Sequence, residues 1–424
     1  MNKNDMELRI HEGYGYARKV YAGFGVDTDK VLKEMSDRKI SLQCWQGDDV
    51  GGFEIAAGGA GGGILSTGNY PGRARSADEL RADYEKALSL IPGKHRINLH
   101  AIYAETGGKA VERDCISYDH FRKWVDWAKK LGLGMDFNPT CFSHPMATSG
   151  FTLGSMDEGI RKYWVRHVMA CRSIAAEMGR ELGTPCILNI WIPDGFKDIP
   201  ADRLGYRQQM MKSLDEIFTV KYDRKYIVDA LESKLFGIGV ESYTVGSHEF
   251  VMGYCLKNGI TMCFDMGHFH QTESVADKIS SAILYADDLL LHVSRPVRWD
   301  SDHVVILNDD LLAVAQEVKR CNAFNRVYYA LDFFDGSINR IGAWVTGSRA
   351  ALKSMLIALL EPTDLILEEE RKGNYGGRLA LMEEFKALPF GAVWDKYCYD
   401  MNVPVGADWL LNVKEYEENV LLKR

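Results

Sequence analysis

From residue 40 onward, short apolar runs alternate with longer stretches whose apolar residues recur every three or four positions, the marks of strands and amphipathic helices. Eight runs read as strands: Ile40–Trp45, Ile97–Ile102, Gly132–Asn138, Cys186–Ile192, Ile227–Lys234, Ile260–Met266, Leu289–Ser294 and Val327–Phe333. Between them lie helical patterns. Ser76, Ala77, Asp78 and Glu79 have the form of a capping box, with serine and glutamate satisfying free amides reciprocally. The helix they open is expected to run to about Ile91. A further helix, Arg340–Leu360, follows the eighth strand. Eight strand–helix units in succession predict an α/β chain closed into a (β/α)8 barrel, a TIM barrel, in preference to an open sheet. Residues 40–361 then form the catalytic barrel. Residues 1–39 and 362–424 read as N- and C-terminal helical extensions, the latter a natural place for subunit contacts.

An open doubly wound sheet carries a glycine turn after its first strand. Here Gly47 to Gly63 holds eight glycines but neither GxGxxG nor GxxxxGK[ST]. A mobile loop over the barrel mouth explains that stretch better than a phosphate cradle. Neither an internal repeat nor a low-complexity segment is present.

Composition narrows the function. A net charge of −8 argues against nucleic acid as partner, because such binding needs a concentrated basic surface. The sequence shows no apolar run approaching the roughly 18 residues that span a bilayer, so no membrane is expected. The four residues after Met1 are polar, and this start lacks the apolar core of a signal peptide. Nine scattered cysteines without a CxxC pair read as reduced thiols, which places the protein in the cytoplasm.

In this barrel class the active site lies at the carboxyl ends of the strands. There, strands five to eight deliver Glu232, Asp265, His292 and Asp332 to one rim, a complete ligand set for a divalent cation. Beside it stand His268, three residues after Asp265, and the Asp300-Ser301-Asp302 triplet in the loop after strand seven. Alternate residues of an extended loop point the same way, so both aspartates are expected to grip a second ion. Asp265 is placed to bridge the two. Singly, an aspartate at a strand end is more often a helix cap and a strand histidine a core residue. Jointly the odds change: five carboxylates at one mouth repel by about 4 kcal/mol per close pair at an effective dielectric of about 20. Two cations remove that conflict. The mixture of carboxylate and imidazole suits Mn²⁺, Co²⁺ or Zn²⁺ better than calcium. Lys234 is positioned to polarise a substrate oxygen, and His100 to assist sugar ring opening by proton transfer. Trp45, Phe137 and Trp191 either wall a sugar pocket or cap the barrel core.

Two adjacent cations without a nucleophile or cofactor motif leave aldose–ketose isomerisation, metal-assisted hydrolysis of the endonuclease IV type, or a structural role. The absence of a basic track weighs against a nuclease, and ligands on a mouth loop weigh against a structural role. Long composite segments then become recognisable. They are Cys44–Glu54, Thr67–Arg73, Asp136–Pro145, Glu232–Gly237, Asp265–His270 and His292–His303. Along nearly its whole length the chain resembles the L-rhamnose isomerase family. The resemblance implies a manganese-preferring homotetramer that takes L-rhamnose to L-rhamnulose. It also implies that Glu232, Asp265, His292 and Asp332 hold a structural metal, and that His268, Asp300 and Asp302 hold a catalytic one. The expected chemistry is a 1,2-hydride shift in the open-chain sugar, with Lys234 stabilising charge on O1 and O2.

Overall fold

The computed structural model describes residues 3–54, 68–236 and 242–424. Eight parallel strands close into a barrel: β1 Ile40–Gln43, β2 Arg96–His100, β3 Gly134–Asn138, β4 Cys186–Trp191, β5 Ile227–Glu232, β6 Thr261–Asp265, β7 Leu289–Val293 and β8 Val327–Leu331. Each strand pairs with its sequence neighbours, and β8 closes the ring on β1. A two-stranded ribbon, Gly195–Phe196 with Tyr243–Thr244, lies outside the ring.

All eight expected strands exist, and most stop short of the carboxyl-end boundary read from the sequence. Trp45 opens a short helix, Trp45–Asp48, instead of ending β1. Gly132 caps the helix Arg122–Leu131 in a left-handed conformation, φ 68°, so β3 begins two residues later. Lys234, Ser294 and Phe333 lie beyond their ladders, where the chain has left the sheet to build the mouth. The capping box forms by half. Ser76 accepts from the Glu79 amide, but the Glu79 carboxylate takes the amide of Arg75, at 2.8 Å, and not that of Ser76. That helix, Ala77–Leu88, is shorter than expected. Of the glycine-rich stretch 47–63, residues beyond Glu54 lie outside the described residues.

Alternation along each strand sends one set of side chains outward to the helices and the other into the barrel. The outward set joins the main core. Ile187, Val228, Ala230, Cys263, Leu290 and Ala330 form a separate apolar cluster inside the ring. Because several of these are small, the interior is incompletely filled. A cavity of about 420 Å³ enters from the amino-terminal end and reaches Asn189 and His292. Helices Lys3–Ala22 and Thr28–Ser36 precede the barrel, and four helices from Thr363 to Asn419 follow it.

Two buried histidines tie elements together in their neutral form. His95 accepts from the Ile40 amide through Nδ1 and donates to the Pro92 carbonyl through Nε2. His167 donates to the Arg113 carbonyl and accepts from the Thr140 amide. A second proton on either ring would displace a backbone donor. Burial lowers their pKa values from 6.5, to about 4 for His95 and about 3 for His167. Unfolded chain therefore binds more protons below pH 6.5, and stability falls as pH drops from there toward 4. The His95 share is at most about 3 kcal/mol. We expect His167→Gln, measured by denaturant unfolding in chelator, to be less stable at pH 7 yet to have a shallower pH slope. A slope equal to that of the unaltered protein would refute this account.

Candidate metal centre

Strand register builds the site before any loop contributes. On β6 and β7, Asp265 lies beside His292, and on β5 and β6, Glu232 lies beside Cys263. Asp332 follows β8 directly, its amide bound to the Val293 carbonyl. Glu232, Asp265, His292 and Asp332 thereby bring one ligand atom each to within 4.8 Å of one another. His292 Nδ1 stands 3.0 Å from Asp332, 3.3 Å from Glu232 and 3.7 Å from Asp265.

A second group, Asp265, His268 and Asp300, meets the same limit. Its geometry depends on Gly267. The Gly267 amide donates to Asp265 Oδ1 at 2.6 Å, and a Cβ there would collide with the Asp300 carboxylate. The tight turn brings His268 back over the site, where Nδ1 lies 2.7 Å from the Ser233 carbonyl and Nε2 lies 3.2 Å from Asp300. Donation from Nδ1 leaves the Nε2 lone pair facing the aspartates.

Asp302 departs from the expected geometry. Its φ of 43° means that the loop turns there and does not run extended, so the alternation argument fails. Asp302 lines the same cavity but stands outside the two compact groups. Ser301 organises this loop, accepting from the Val297 amide at 2.9 Å and pairing with His303 at 2.8 Å.

The donor set fits cations. Asp265 Oδ2, Asp300 Oδ1 and His292 Nε2 are buried without a hydrogen-bond partner, an arrangement that costs free energy unless something satisfies it. Protonation equilibria carry the same strain. Burial raises the Asp265 pKa well above the ordinary carboxylate range, and burial with the neighbouring Asp300 does the same at Asp302. Glu232 and Asp300 are shifted down in spite of burial, by His292 beside Glu232 and by His268 and Lys234 beside Asp300. Burial opposes charge on both imidazoles, but the acidic groups outweigh it and raise their pKa values.

These groups open on a small cavity of about 50 Å³. His100, Lys234, Trp45 and Trp191 line it; Phe137 does not. Phe137 lies on the outer face of β3, fully buried, its ring 4.8 Å from that of Phe121. The inward positions of β3 are Asp136 and Asn138, one residue to either side. Asn138, Phe142, Asn189 and Phe334 also line the cavity and were not singled out from the sequence. Asn138 and Asn189 share the inward face with named residues, a parity signal that was there to be used. Lys234 donates to Asp300 and lies 2.9 Å from His268, above the Trp191 ring.

The whole-chain comparisons decide the lineage. Residues 8–424 match the family model described as L-rhamnose isomerase (RhaA). The L-rhamnose isomerases of Salmonella paratyphi B and Salmonella newport are each 54% identical over 419 residues, covering 99% of this chain and all of theirs. The chain belongs to the L-rhamnose isomerase family. Among solved structures, an L-ribulose 3-epimerase aligns with TM-score 0.49 at 11% identity, over 78% of this chain and 98% of that one. D-psicose 3-epimerase from Clostridium cellulolyticum H10 aligns with TM-score 0.43 at 13% identity, over 66% and 91%. Membership in the L-rhamnose isomerase family makes the chain an isomerase and displaces the hydrolase alternative.

Within this member of the L-rhamnose isomerase family, Lys234 carries charge that cations would otherwise share. Burial pulls its pKa down, but Asp300 and Asp302 outweigh that and raise it. Lys234→Met should therefore destabilise metal-free protein by about 3 kcal/mol, the cost of stranding one member of a buried ion pair. Divalent cation should recover most of that loss, as read from denaturant unfolding with and without chelator. An equal loss in both conditions would separate Lys234 from the cation sites.

Proposed function

We propose that this chain interconverts L-rhamnose and L-rhamnulose with two divalent cations, manganese preferred and cobalt or zinc tolerated. The observation that carries the reading is the meeting of four strand ends at Glu232, Asp265, His292 and Asp332, beside the second group formed by Asp265, His268 and Asp300. Family membership supplies the substrate. On this reading the first group holds the structural ion, and His268, Asp300 and Asp302 hold the catalytic one, with Asp265 shared. Cations bound there supply Lewis acidity that stabilises negative charge on adjacent sugar oxygens.

The chain's own residues supply the rest. Burial holds the His100 pKa down at about 3, so its imidazole is neutral in the working range. Nδ1 pairs with Thr140 at 3.1 Å, which leaves Nε2 to relay a proton as the sugar ring opens. Lys234 keeps its proton and acts as a donor to O1 or O2, not as a base. Trp45, Phe142 and Trp191 exclude water from the C1–C2 bond. Among the described residues, every carboxylate that lines the cavity, Glu232, Asp302 and Asp332, belongs to the ligand sets. None is left free as a base over the carbon chain, which favours direct hydrogen transfer from C2 to C1.

We further assign residues 1–39 and 362–424 as extensions around a catalytic barrel of 40–361, and the assembly as a homotetramer. Tyr375, Leu379, Leu410 and Leu411 are exposed on the C-terminal helices, where subunit contacts would cover them. A cytoplasmic setting accords with nine free cysteines.

Two measurements test the reaction. Chelation should abolish ketose formation from L-rhamnose, and Mn²⁺ or Co²⁺ should restore it. Full activity in verified metal-free protein would sink the mechanism. L-Rhamnose deuterated at C2 should give ketose carrying the label at C1, at low conversion and across a wide pH range. Early loss of label to water would replace direct transfer with a proton-relay route.

A further inference from the structure

Cys263 lies one step below Asp265 on the inward face of β6 and is 1% exposed. It sits in register with Glu232 of β5. A Glu232 carboxylate oxygen, the Cys263 sulfur and a His292 ring nitrogen all lie within 4.8 Å of one another. His292 adds a second observation, since its Nε2 is buried without a hydrogen-bond partner. Leu290 and Ala330 pack with Cys263 in the barrel interior and line the cavity that opens at the amino-terminal end. Space therefore adjoins this triad on the side away from the sugar pocket.

We propose that Glu232, Cys263 and His292 form an alternative cation site that takes thiophilic divalent ions, Zn²⁺ or Cd²⁺, one step deeper in the barrel than the carboxylate-rich site. The inference rests on Glu232 and His292 being cation ligands. Mixed carboxylate, imidazole and thiolate donors favour soft or borderline ions, whereas Mn²⁺ prefers oxygen. In the binding step the thiol S–H bond breaks, a sulfur–metal bond forms and the proton leaves to solvent, with no change of oxidation state. Because the triad shares Glu232 and His292 with the upper site, a soft ion held there excludes Mn²⁺ from that site. Cys263 thus makes the enzyme sensitive to the metal that reaches it first.

The test is a Cd²⁺ titration of chelator-treated, full-length protein carrying Cys115→Ser and Cys321→Ser, which removes the more exposed thiols. Sulfur-to-cadmium charge-transfer absorption should appear in the near ultraviolet and saturate at one equivalent. Adding Cys263→Ser should remove it and weaken Cd²⁺ binding by about tenfold or more, while Mn²⁺ affinity changes by less than about twofold. Cys263→Ala should match it. X-ray absorption at the cadmium edge needs no substitution at Cys263 and should find one sulfur neighbour. An unchanged spectrum and Cd²⁺ affinity in the Cys263 variants, or cadmium with no sulfur neighbour, overturns the proposal and leaves the Mn²⁺ centre intact. Equal weakening of Mn²⁺ and Cd²⁺ overturns it in favour of a packing role. Failure of the unaltered protein to bind any divalent cation overturns the metal-centre reading, and this proposal with it.

Discussion

Five carboxylates and two imidazoles share the carboxyl end of one barrel, and the surrounding structure is arranged around the repulsion among them. At an effective dielectric of about 20, each pair of like charges about 4 Å apart costs about 4 kcal/mol. The protein alone meets this cost by redistributing protons. The imidazoles of His268 and His292 and the carboxyls of Asp265 and Asp302 are shifted toward their protonated forms, while Glu232 and Asp300 stay ionised. Such a proton pattern satisfies charge but not geometry, since Asp265 Oδ2 and Asp300 Oδ1 remain without partners. Divalent cations satisfy both, and their binding would release protons in return.

The rigid parts of the fold serve that constraint. Parallel register sets the spacing of Glu232, Asp265 and His292, which therefore needs no loop to define it. Gly267 lets the chain turn closely enough for Asp265 and Asp300 to share a neighbourhood. Lys234 adds a buried positive charge where the loop aspartates converge. Ser301 and His303 brace the loop that presents them. Each of these residues makes sense only in relation to the crowded charge.

What the sequence revealed follows from which signals are local. Strand identity and the inward or outward face of a residue are written in alternation, and all eight strands were legible. Glu232, Asp265, His292 and Asp332 followed from counting to strand ends. For Phe137 the sequence left pocket wall and core both open, and parity decides for the core: Asn138, its neighbour, is the residue that faces the cavity. The Asp300–Asp302 geometry was misread. A left-handed residue inside a loop has no periodic signature, so a turn passed for an extended segment. Glu79 shows the same limit at smaller scale, since the choice between the Ser76 and Arg75 amides depends on backbone direction before the helix begins.

A division of labour around the ring follows. Strands β5 to β8 and the loops after them carry all five clustered carboxylates, both clustered imidazoles and Lys234. Strands β1 to β4 and their loops contribute Trp45, His100, Asn138, Phe142, Asn189 and Trp191 to the cavity, none of them charged at neutral pH. An open-chain sugar has a matching asymmetry, with hydroxyl oxygens that seek cations and carbon faces that pack on rings. The wall that is neutral is also the wall that can exclude water, because aromatic surface loses nothing by being dry. Charge on that side would draw water to the C1–C2 bond and open the way to exchange. On the proposed reading, keeping His100 neutral by burial belongs with gathering the acids opposite: one half of the barrel would hold the oxygens, and the other would keep the migrating hydrogen from solvent.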